Sequence, residues 1–522
     1  MRVLSDHDER YMWLSLLVVV VGTFMAVLDS SIVNIALPKM MTVFGASTDQ
    51  ISWVLTGYML TMGIVIPLTG YLGDTFGYKK LYIFAMTVFT IGSALCGFAW
   101  STNAMVVSRV IQGVGGGMIM PVGMAMIFQN IPLERRGMAL GIWGIAAMAA
   151  PAIGPTLSGF IVQYLDWRLI FTINIPVGIL GVTLAFFILR ETTIIPNKKF
   201  DLGGALTVAV GLCSLIYGLG KVSSDGWSSA TVIVLLITAL IFLTAFVFIE
   251  LNHSDPLMDL RVLTYLPFTL SMLISVITTF AMFGGVFLVP LYMQNLRGLT
   301  AMETGILMFP SAVVTGIMMP ISGRLFDRYG AKWLTISGLS ILIIATYALT
   351  KLGVDTPTDY LKYVLMIRGL GIGLCMMPTQ TSGMNAIPMH LTGRASALSS
   401  TIRQVVGSIG IAVISTIFQH RMTFHQVRYA ENFSTTNPQV MQAVNGLTGA
   451  FISKGLSPLQ ANYTAVMQLY GQVMKQAMAT AMDDTFLVLA IFACLGIPIA
   501  LFIKKGRVIK AKPKAQAVAV EQ

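Results

Sequence analysis

Apolar residues in this chain do not alternate with polar ones over short stretches. They form long unbroken runs, near 14–37, 51–72, 81–99, 104–128, 137–163, 167–189, 203–221, 230–250, 268–294, 304–326, 332–351, 360–387, 395–420 and 482–503. Short segments rich in charge, Pro or Gly separate them. Each run approaches or exceeds the roughly 20 residues a helix needs to cross a bilayer. Hydrocarbon offers no partner to a backbone N–H or C=O, so runs of this kind fold as helices that satisfy themselves. The pattern predicts an all-α polytopic membrane protein with 14 transmembrane helices. Trp13, Trp53, Trp100, Trp167, Trp227 and Trp333 fall near the predicted interfaces, as aromatic belts do; only Trp143 lies deeper.

Composition agrees. The 522 residues are 56% hydrophobic and only 11% charged, against about 25% charged in soluble domains. The net charge of +11 is therefore no nucleic-acid signal. Its Lys and Arg sit in short loops and in the tail KKGRVIKAKPK, which would meet anionic lipid headgroups. With the N-terminus inside, cytoplasmic segments hold about twice as many Lys and Arg as outer ones, which places both termini in the cytoplasm. MRVLSDHDERYMW reads as no cleavable signal, because the apolar run after it is too long and lacks a small-residue cleavage pattern. Cys96, Cys213, Cys375 and Cys494 all lie within apolar runs and are expected as free thiols.

The chain repeats itself. GYLGDTFGYKK (70–80) and GRLFDRYGAKW (323–333) share G-x-L-x-D-x-x-G-x-K, after the second and the tenth run. RVIQGVGGGMIMP (109–121) is echoed by RGLGIGLCMMP (368–378), and RRGMALG after Pro132 by LTGRASAL after Pro388. Three matches in one order divide the chain into six spans (1–190), two added spans with their flanking loops (191–262) and six more (263–503), followed by a basic tail (504–522). Parallel repeats of this kind build transporters with a midplane site between the halves.

Asp29, in MAVLDSSIVNIALP (25–38), is the one acidic residue placed deep in a span. A charge at that depth costs at least about 2.5–3.5 kcal/mol, and burial favours the neutral form of a carboxylate in general. Such a group can carry a proton if opposite sides of the membrane reach it in turn through the space between the lobes. It can equally be a structural carboxylate, permanently paired. Its partner is expected to be Arg109. By helix rise the two lie roughly 12 and 8 Å below the outer surface. If they couple, protonating Asp29 frees Arg109 and the pair is a switch; otherwise it is a fixed ion pair that sets helix packing. Gln112 lies one turn further along the same span.

The residues now quoted, LDSSIVNIALP, GYLGDTFGYKK, RVIQGVGGG and APAIGPTLSG, resemble the signature set of the major facilitator superfamily. Fourteen spans and PLMDLRVL (256–263) resemble its fourteen-span drug:proton antiporters, and the long outer segment 421–481 resembles EmrB-type members. The resemblance implies the major facilitator fold, two six-helix bundles plus two extra helices. It further implies that Arg109 assists proton transfer, and that Gly70, Asp74, Gly77 and Lys79, with Asp327 and Lys332 in the second half, form a cytoplasmic gate. On physics alone Asp74 is badly placed at a helix C-terminus unless another helix N-terminus or a basic group meets it, and the lysines also set topology. Pro151, Gly154, Pro155 and Gly159 make a bendable, closely packed seam; the resemblance adds that this motif marks exporters.

Met118, Met120, Met124 and Met126 follow Arg109; flexible thioethers suit a cavity of many shapes, or simply fill helix contacts. Asn34, Tyr58, Asn174, Gln294 and Gln380 are candidates to line a cavity or to bond between helices, and Asn34, Tyr58, Gln112, Met118 and Gln380 are taken as the substrate cavity. Within 421–481, Asn437-Pro438 and Ser457-Pro458 predict N-caps of two short outer helices, about 438–453 and 458–480.

The expectation is therefore a proton-coupled multidrug efflux transporter of the bacterial plasma (inner) membrane, working by alternating access. It would need no cofactor or metal beyond the proton gradient. Lipophilic small molecules, protons and membrane lipids are its expected partners. The EmrB resemblance adds a periplasmic adaptor and outer-membrane channel, with the outer helices lying on the membrane as the alternative. A dedicated exporter of one metabolite, lipid or siderophore is the rival. A dication specialist is disfavoured because spans 2, 10 and 13 carry no carboxylate and span 13 carries Arg403 instead. An embedded enzyme is disfavoured by the absence of H-E-x-x-H and of a nucleotide loop.

Overall fold

A computed structural model describes residues 6–192, 194, 199–432 and 438–503. Its long helices are α1 (Asp6–Phe44), α2 (Thr48–Phe76), α3 (Tyr78–Gly97), α4 (Thr102–Asn130), α5 (Arg136–Tyr164), α6 (Asn174–Ile188), α7 (Leu202–Asp225), α8 (Ala230–Asn252), α9 (Leu266–Leu291), α10 (Ala301–Tyr329), α11 (Ala331–Ala348), α12 (Thr358–Asn385), α13 (Thr392–Asn432), α14 (Pro438–Ser453) and α15 (Pro458–Cys494). Among the described residues 14 helices are long and apolar enough to cross a membrane, the number read from the sequence. A single helical turn, Leu169–Thr172, leads into α6.

Local signals explain where the helices begin and end. Ser47 with Gln50 forms a capping box at the start of α2, and Thr300 with Glu303 does the same for α10. The two repeated loops turn on Gly77 (φ 89°) and Gly330 (φ 80°), backbone conformations that side chains with a Cβ rarely adopt. α2 and α3, and likewise α10 and α11, are thereby reversed within one residue. We call this end of the molecule the turn end. All four cysteines are free.

The outer segment differs from expectation. It was expected to hold two separate short helices. Instead α13 runs unbroken from Thr392 to Asn432, and α15 runs unbroken from Pro458 through the last span to Cys494. Only α14 is separate. No proline lies between Pro458 and the last apolar run, and the single Gly471 costs too little to end a helix, so the helix that Ser457 caps with Gln460 runs on. The same last span breaks at Leu495 and resumes for one short piece, Gly496–Leu501, where the sequence predicted continuity to 503. Asn437, the other expected cap, lies outside the described residues.

α1–α6 form one bundle and α9–α13 with α15 another. The added pair α7–α8 packs beside both. A Cβ on Gly63 of α2 would stand 2.8 Å from Ile216 of α7, while Ser223 and Trp227 hydrogen-bond Ser415 and Thr416 of α13 at 3.2 and 2.8 Å. Between the bundles, α5 lies along α10, and α2 and α4 meet α13. Hydrogen bonds cross this seam at the turn end: Arg136 Nη1 donates to Asn385 Oδ1 at 3.0 Å and Ser396 Oγ to the Pro121 carbonyl at 2.8 Å. The bundles are closed there.

Candidate functional site

Asp29 is buried within the first bundle, 1% exposed. Three donors from two other helices converge on it. Arg109 Nη1 of α4 reaches Oδ2 at 2.6 Å, while Gln112 Nε2 of α4 and Asn174 Nδ2 of α6 reach Oδ1 at 2.8 and 2.9 Å. The side chains of Asp29 and Arg109 are both 0% exposed. Gln112 is the organiser: its Oε1 accepts from Arg109 at 2.6 Å and its Nε2 also donates to Ser93 Oγ of α3 at 2.7 Å. Arg109 and Gln112 are three residues apart on α4, so they share a face and both reach α1.

The guanidinium has further partners. Nε donates to the Val54 carbonyl at 3.2 Å, and the Tyr58 ring lies 4.0 Å from Cζ, a cation–π contact. Nη2 has no hydrogen-bond partner. Removing one member would leave the other charged in a low-dielectric interior, typically at a cost of about 3–5 kcal/mol. The pair is thus strongly conditional: each charge is tolerable only while the other is present.

Asp29 was expected to open on the space between the lobes. It does not in this conformation. α1, α2, α3, α4 and α6 supply all the partners named, and every one belongs to the first bundle. Exposed polar surface begins at the next residue of α1, Ser30, and one turn on at Asn34. Of the residues taken as the substrate cavity, only Asn34 is exposed. Tyr58 is the platform under Arg109, Gln112 belongs to the carboxylate's cage, and Met118, 5% exposed, is buried in a core to which both bundles contribute. Gln380 is 2% exposed and lies at the seam, where Nε2 meets Met124 Sδ at 3.1 Å.

α5 clasps α1 immediately beside Asp29. Ser31 Oγ lies 3.4 Å from the Ala150 carbonyl, and Ser158 Oγ donates to the Ile32 carbonyl at 2.8 Å. A Cβ on Gly154 would stand 2.0 Å from Ser31 Oγ, so only glycine permits this approach. Pro151 and Pro155, exposed and partly exposed, interrupt the hydrogen-bond ladder of α5 along the same stretch. Gly159 faces the other bundle, where a Cβ would meet Met302 of α10 at 3.5 Å. The Pro/Gly motif thus has one face on the helix that carries Asp29 and another on the second bundle.

At the turn end, Asp74 finds the basic group its position requires. Arg394 Nε of α13 lies 3.4 Å from Asp74 Oδ2 and Arg394 Nη1 lies 3.6 Å from Asp259 Oδ2, while Tyr78 donates to Asp74 Oδ1 at 3.0 Å. Gly70 lets the α13 backbone in; its Cβ would stand 3.0 Å from Arg394 Cα. Asp327 occupies the symmetric place and seats on the first turn of α5, where a Cβ on Gly137 would stand 2.6 Å from its Oδ1; a helix N-terminus is where a carboxylate is stabilised. Lys79 and Lys332 are not part of these contacts. Lys79 Nζ lies over the Phe186 ring at 5.6 Å, within its own bundle, and Lys332 makes no ion pair among the described residues.

Arg394 and Asp259 were not singled out from the sequence. The echo between LTGRASAL and RRGMALG pointed indirectly to Arg394, since it makes the start of α13 the symmetric partner of the start of α5, and Asp259 lay unremarked within PLMDLRVL. Asn174 was named only among unranked polar residues.

The sequence profile of the Major Facilitator Superfamily matches residues 19–411. The chain belongs to that superfamily. It is 39% identical over 500 residues to the uncharacterized MFS-type transporter YhcA of Bacillus subtilis, covering 96% of this chain and 94% of that protein. It is 32% identical to the lincomycin resistance protein LmrB of Listeria innocua, over 82% of this chain and 91% of the relative. Among solved structures, the proton:xylose symporter XylE superposes with a TM-score of 0.58 at 14% identity, covering 96% of this chain and 97% of that one; at that identity the likeness speaks for the fold alone. This major facilitator transporter therefore carries the buried ion pair, the Pro/Gly helix and the paired turn-end carboxylates on a framework of the superfamily.

Proposed function

We propose that this transporter exports amphipathic or lipophilic compounds, antibiotics among them, in exchange for protons, and that Asp29 is the proton carrier. Similarity to relatives described as drug-resistance proteins supports the substrate class. One observation carries the coupling: the carboxylate is ion-paired at 2.6 Å with no exposure, on a helix clasped by α5 at Ser31 and Ile32, two and three residues further on. Protonating Asp29 removes the counter-charge of Arg109, and an uncompensated guanidinium in that interior is costly enough to drive rearrangement. α1 and α5 are the elements that would move, and α5 transmits the movement to α10. In the cycle the turn end is the cytoplasmic end, the conformation described is closed there, and a proton reaches Asp29 past Ser30 and Asn34 from outside. Arg109 assists by expelling or recalling that proton as the helices shift.

The seal around Asp29 favours a second reading, in which the pair is a fixed strut of the first bundle and protons are carried elsewhere. The two readings separate in Asp29→Asn protein reconstituted into liposomes with an imposed pH gradient and lincomycin as the probe. A carrier predicts a folded protein whose gradient-driven transport is lost while concentration-driven exchange persists. Undiminished gradient-driven transport by the variant rejects the carrier role and leaves the strut.

A further inference from the structure

The second bundle carries a cation that the first bundle's chemistry does not explain. Arg403 lies on α13, about 14 Å along the helix from Arg394 at the turn end, and so close to the middle of roughly 30 Å of hydrocarbon. A guanidinium offers five donors in a planar fork. Among the described residues the three buried arginines have strong acceptors: Arg109 has Asp29, Arg394 has Asp74 and Asp259, and Arg368 Nη2 donates to the Ala281 carbonyl at 2.5 Å. Arg403 Nη2 has only the Ser400 hydroxyl at 3.3 Å and the Met124 thioether at 3.8 Å. Among the described residues none of the ion pairs includes it.

A second donor converges on the same weak acceptor. Gln380 Nε2, from α12, reaches Met124 Sδ at 3.1 Å. Met124 belongs to α4 of the first bundle, so two donors of the second bundle point across the seam at one poorly accepting sulfur. Arg403 is partly exposed, and Ile402, Val405 and Met376 are partly buried apolar residues packed against the core that contains Met124. An unpaired charge at this depth costs several kcal/mol. The donor set fits a planar oxyanion, which accepts from a guanidinium fork in bidentate fashion, and the surroundings fit an apolar body attached to it.

We propose that Arg403 and Gln380 form the recognition site for the acidic group of an amphipathic organic anion, and that such anions are a substrate class of this transporter. Met124 holds the place of the acidic group when the turn end is closed. As the bundles part there, both donors lose Met124 together and become available to substrate. Reclosure returns Met124 to them and releases the anion. This deepens the export reading and rests on it for the direction of transport, but the binding it asserts needs no proton gradient.

The test uses the full chain in nanodiscs and two dyes of one skeleton, 1-anilinonaphthalene-8-sulfonate and its uncharged parent N-phenyl-1-naphthylamine. Arg403→Gln is expected to raise the Kd of the sulfonate about ten- to a hundredfold, the size of losing a hydrogen bond to a charged group, and that of the amine by about twofold or less. Arg403→Lys, which keeps the charge and loses the fork, is expected to fall between, and shows that the loss follows charge and not folding. Equal losses for both dyes, no change for the sulfonate, or no saturable sulfonate binding by the unaltered protein each overturn the proposal. Gradient-driven transport of the same dyes in liposomes reports separately on export. Charge-selective binding without such transport would sink the export reading and leave the anion site standing, whereas transport without charge-selective binding would do the reverse.

Discussion

The Asp29–Arg109 pair makes a quantitative prediction. Replacing Asp29 by Asn leaves one oxygen where there were two and puts an NH2 group among three donors. If the remaining oxygen keeps Gln112 and Asn174, the amide nitrogen faces Arg109 Nη1, formerly at 2.6 Å. The guanidinium then keeps the Gln112 and Val54 oxygens and the Tyr58 ring but has no counter-charge. The expected loss is about 3–5 kcal/mol. Arg109→Met alone strands the carboxylate, which retains two amide donors or becomes protonated, and costs a similar amount. The double variant has neither charge, and Met fills part of the arginine volume. Its loss is expected to fall short of the sum of the single losses by about 2–3 kcal/mol, within the range seen for residues in one network. The assay is reversible unfolding in mixed micelles, with transport measured on the same four proteins. Additivity within about 0.5 kcal/mol would refute the argument that each charge is tolerable only with the other.

Four further outcomes follow. Tyr58→Phe keeps the ring under the guanidinium and should leave the unfolding midpoint nearly unchanged, whereas Tyr58→Ala should cost about 2 kcal/mol or more in the same micelle titration. Gly77→Ala places a Cβ at φ 89° and should cost about 1–3 kcal/mol, read by the same method. Gly323→Leu cannot keep the closed seam, because even its Cβ would stand 2.0 Å from the Gly137 carbonyl oxygen; spin labels at Leu133 and Arg328 should report a distance longer by about 1.5 Å or more, the gap to normal contact. Arg394→Gln removes the bridge from α13 to Asp74 and Asp259, and a cysteine introduced at the buried Ser396 should be alkylated faster than in the parent background.

The number of spans was legible because lipid imposes one rule on every backbone group, and a run of apolar residues answers it in one way. The ion pair was legible for the same reason: a carboxylate and a guanidinium at similar depth have few other ways to be neutralised. What the sequence hid was direction around the helix axis. Asp29 faces α4 and α6, not the seam, and its neighbours' identities do not say so: the polar residues nearest it, Ser30, Ser31 and Asn34, lie on other sides of α1 and mark no face for the carboxylate. Gln112 and Tyr58 look like cavity residues for the same lack of a rotational marker. The outer segment failed differently. Its turn residues were read as boundaries of short helices, but a cap fixes only where a helix begins, and α15 runs on until Leu495. Arg394 was hidden by distance along the chain: an Asp74 partner 320 residues away leaves only the internal repeat as a clue.

The facing of Asp29 changes what any coupling has to be. A proton carrier on the wall of a central cavity could act on substrate directly, by charge or by competition. A carboxylate enclosed in one bundle cannot; it acts only through the helices that hold it. Among these, α1 has contacts on both sides of the question, because Ser31 and Ile32 bind α5 while Asp29 binds α4 and α6. α5 then reaches the second bundle along its whole length, from Gly137 against Asp327 through Gly141, whose Cβ would stand 2.4 Å from Pro320 Cα, to Gly159 against Met302. The Gly141–Pro320 contact, like that of Gly137 with the Gly323 carbonyl, is made against backbone and cannot be absorbed by side-chain adjustment. A shift of α1 that lengthens the Asp29–Arg109 distance must therefore bend α5 at its proline pair, where hydrogen bonds are already missing, or carry α10 with it. Stiffening that bend should uncouple the two bundles without touching the carboxylate. Pro151→Ala with Pro155→Ala restores the ladder, and should leave the ion pair and the fold intact while slowing gradient-driven transport. Transport at the parent rate with both prolines replaced would mean that α5 is not the lever.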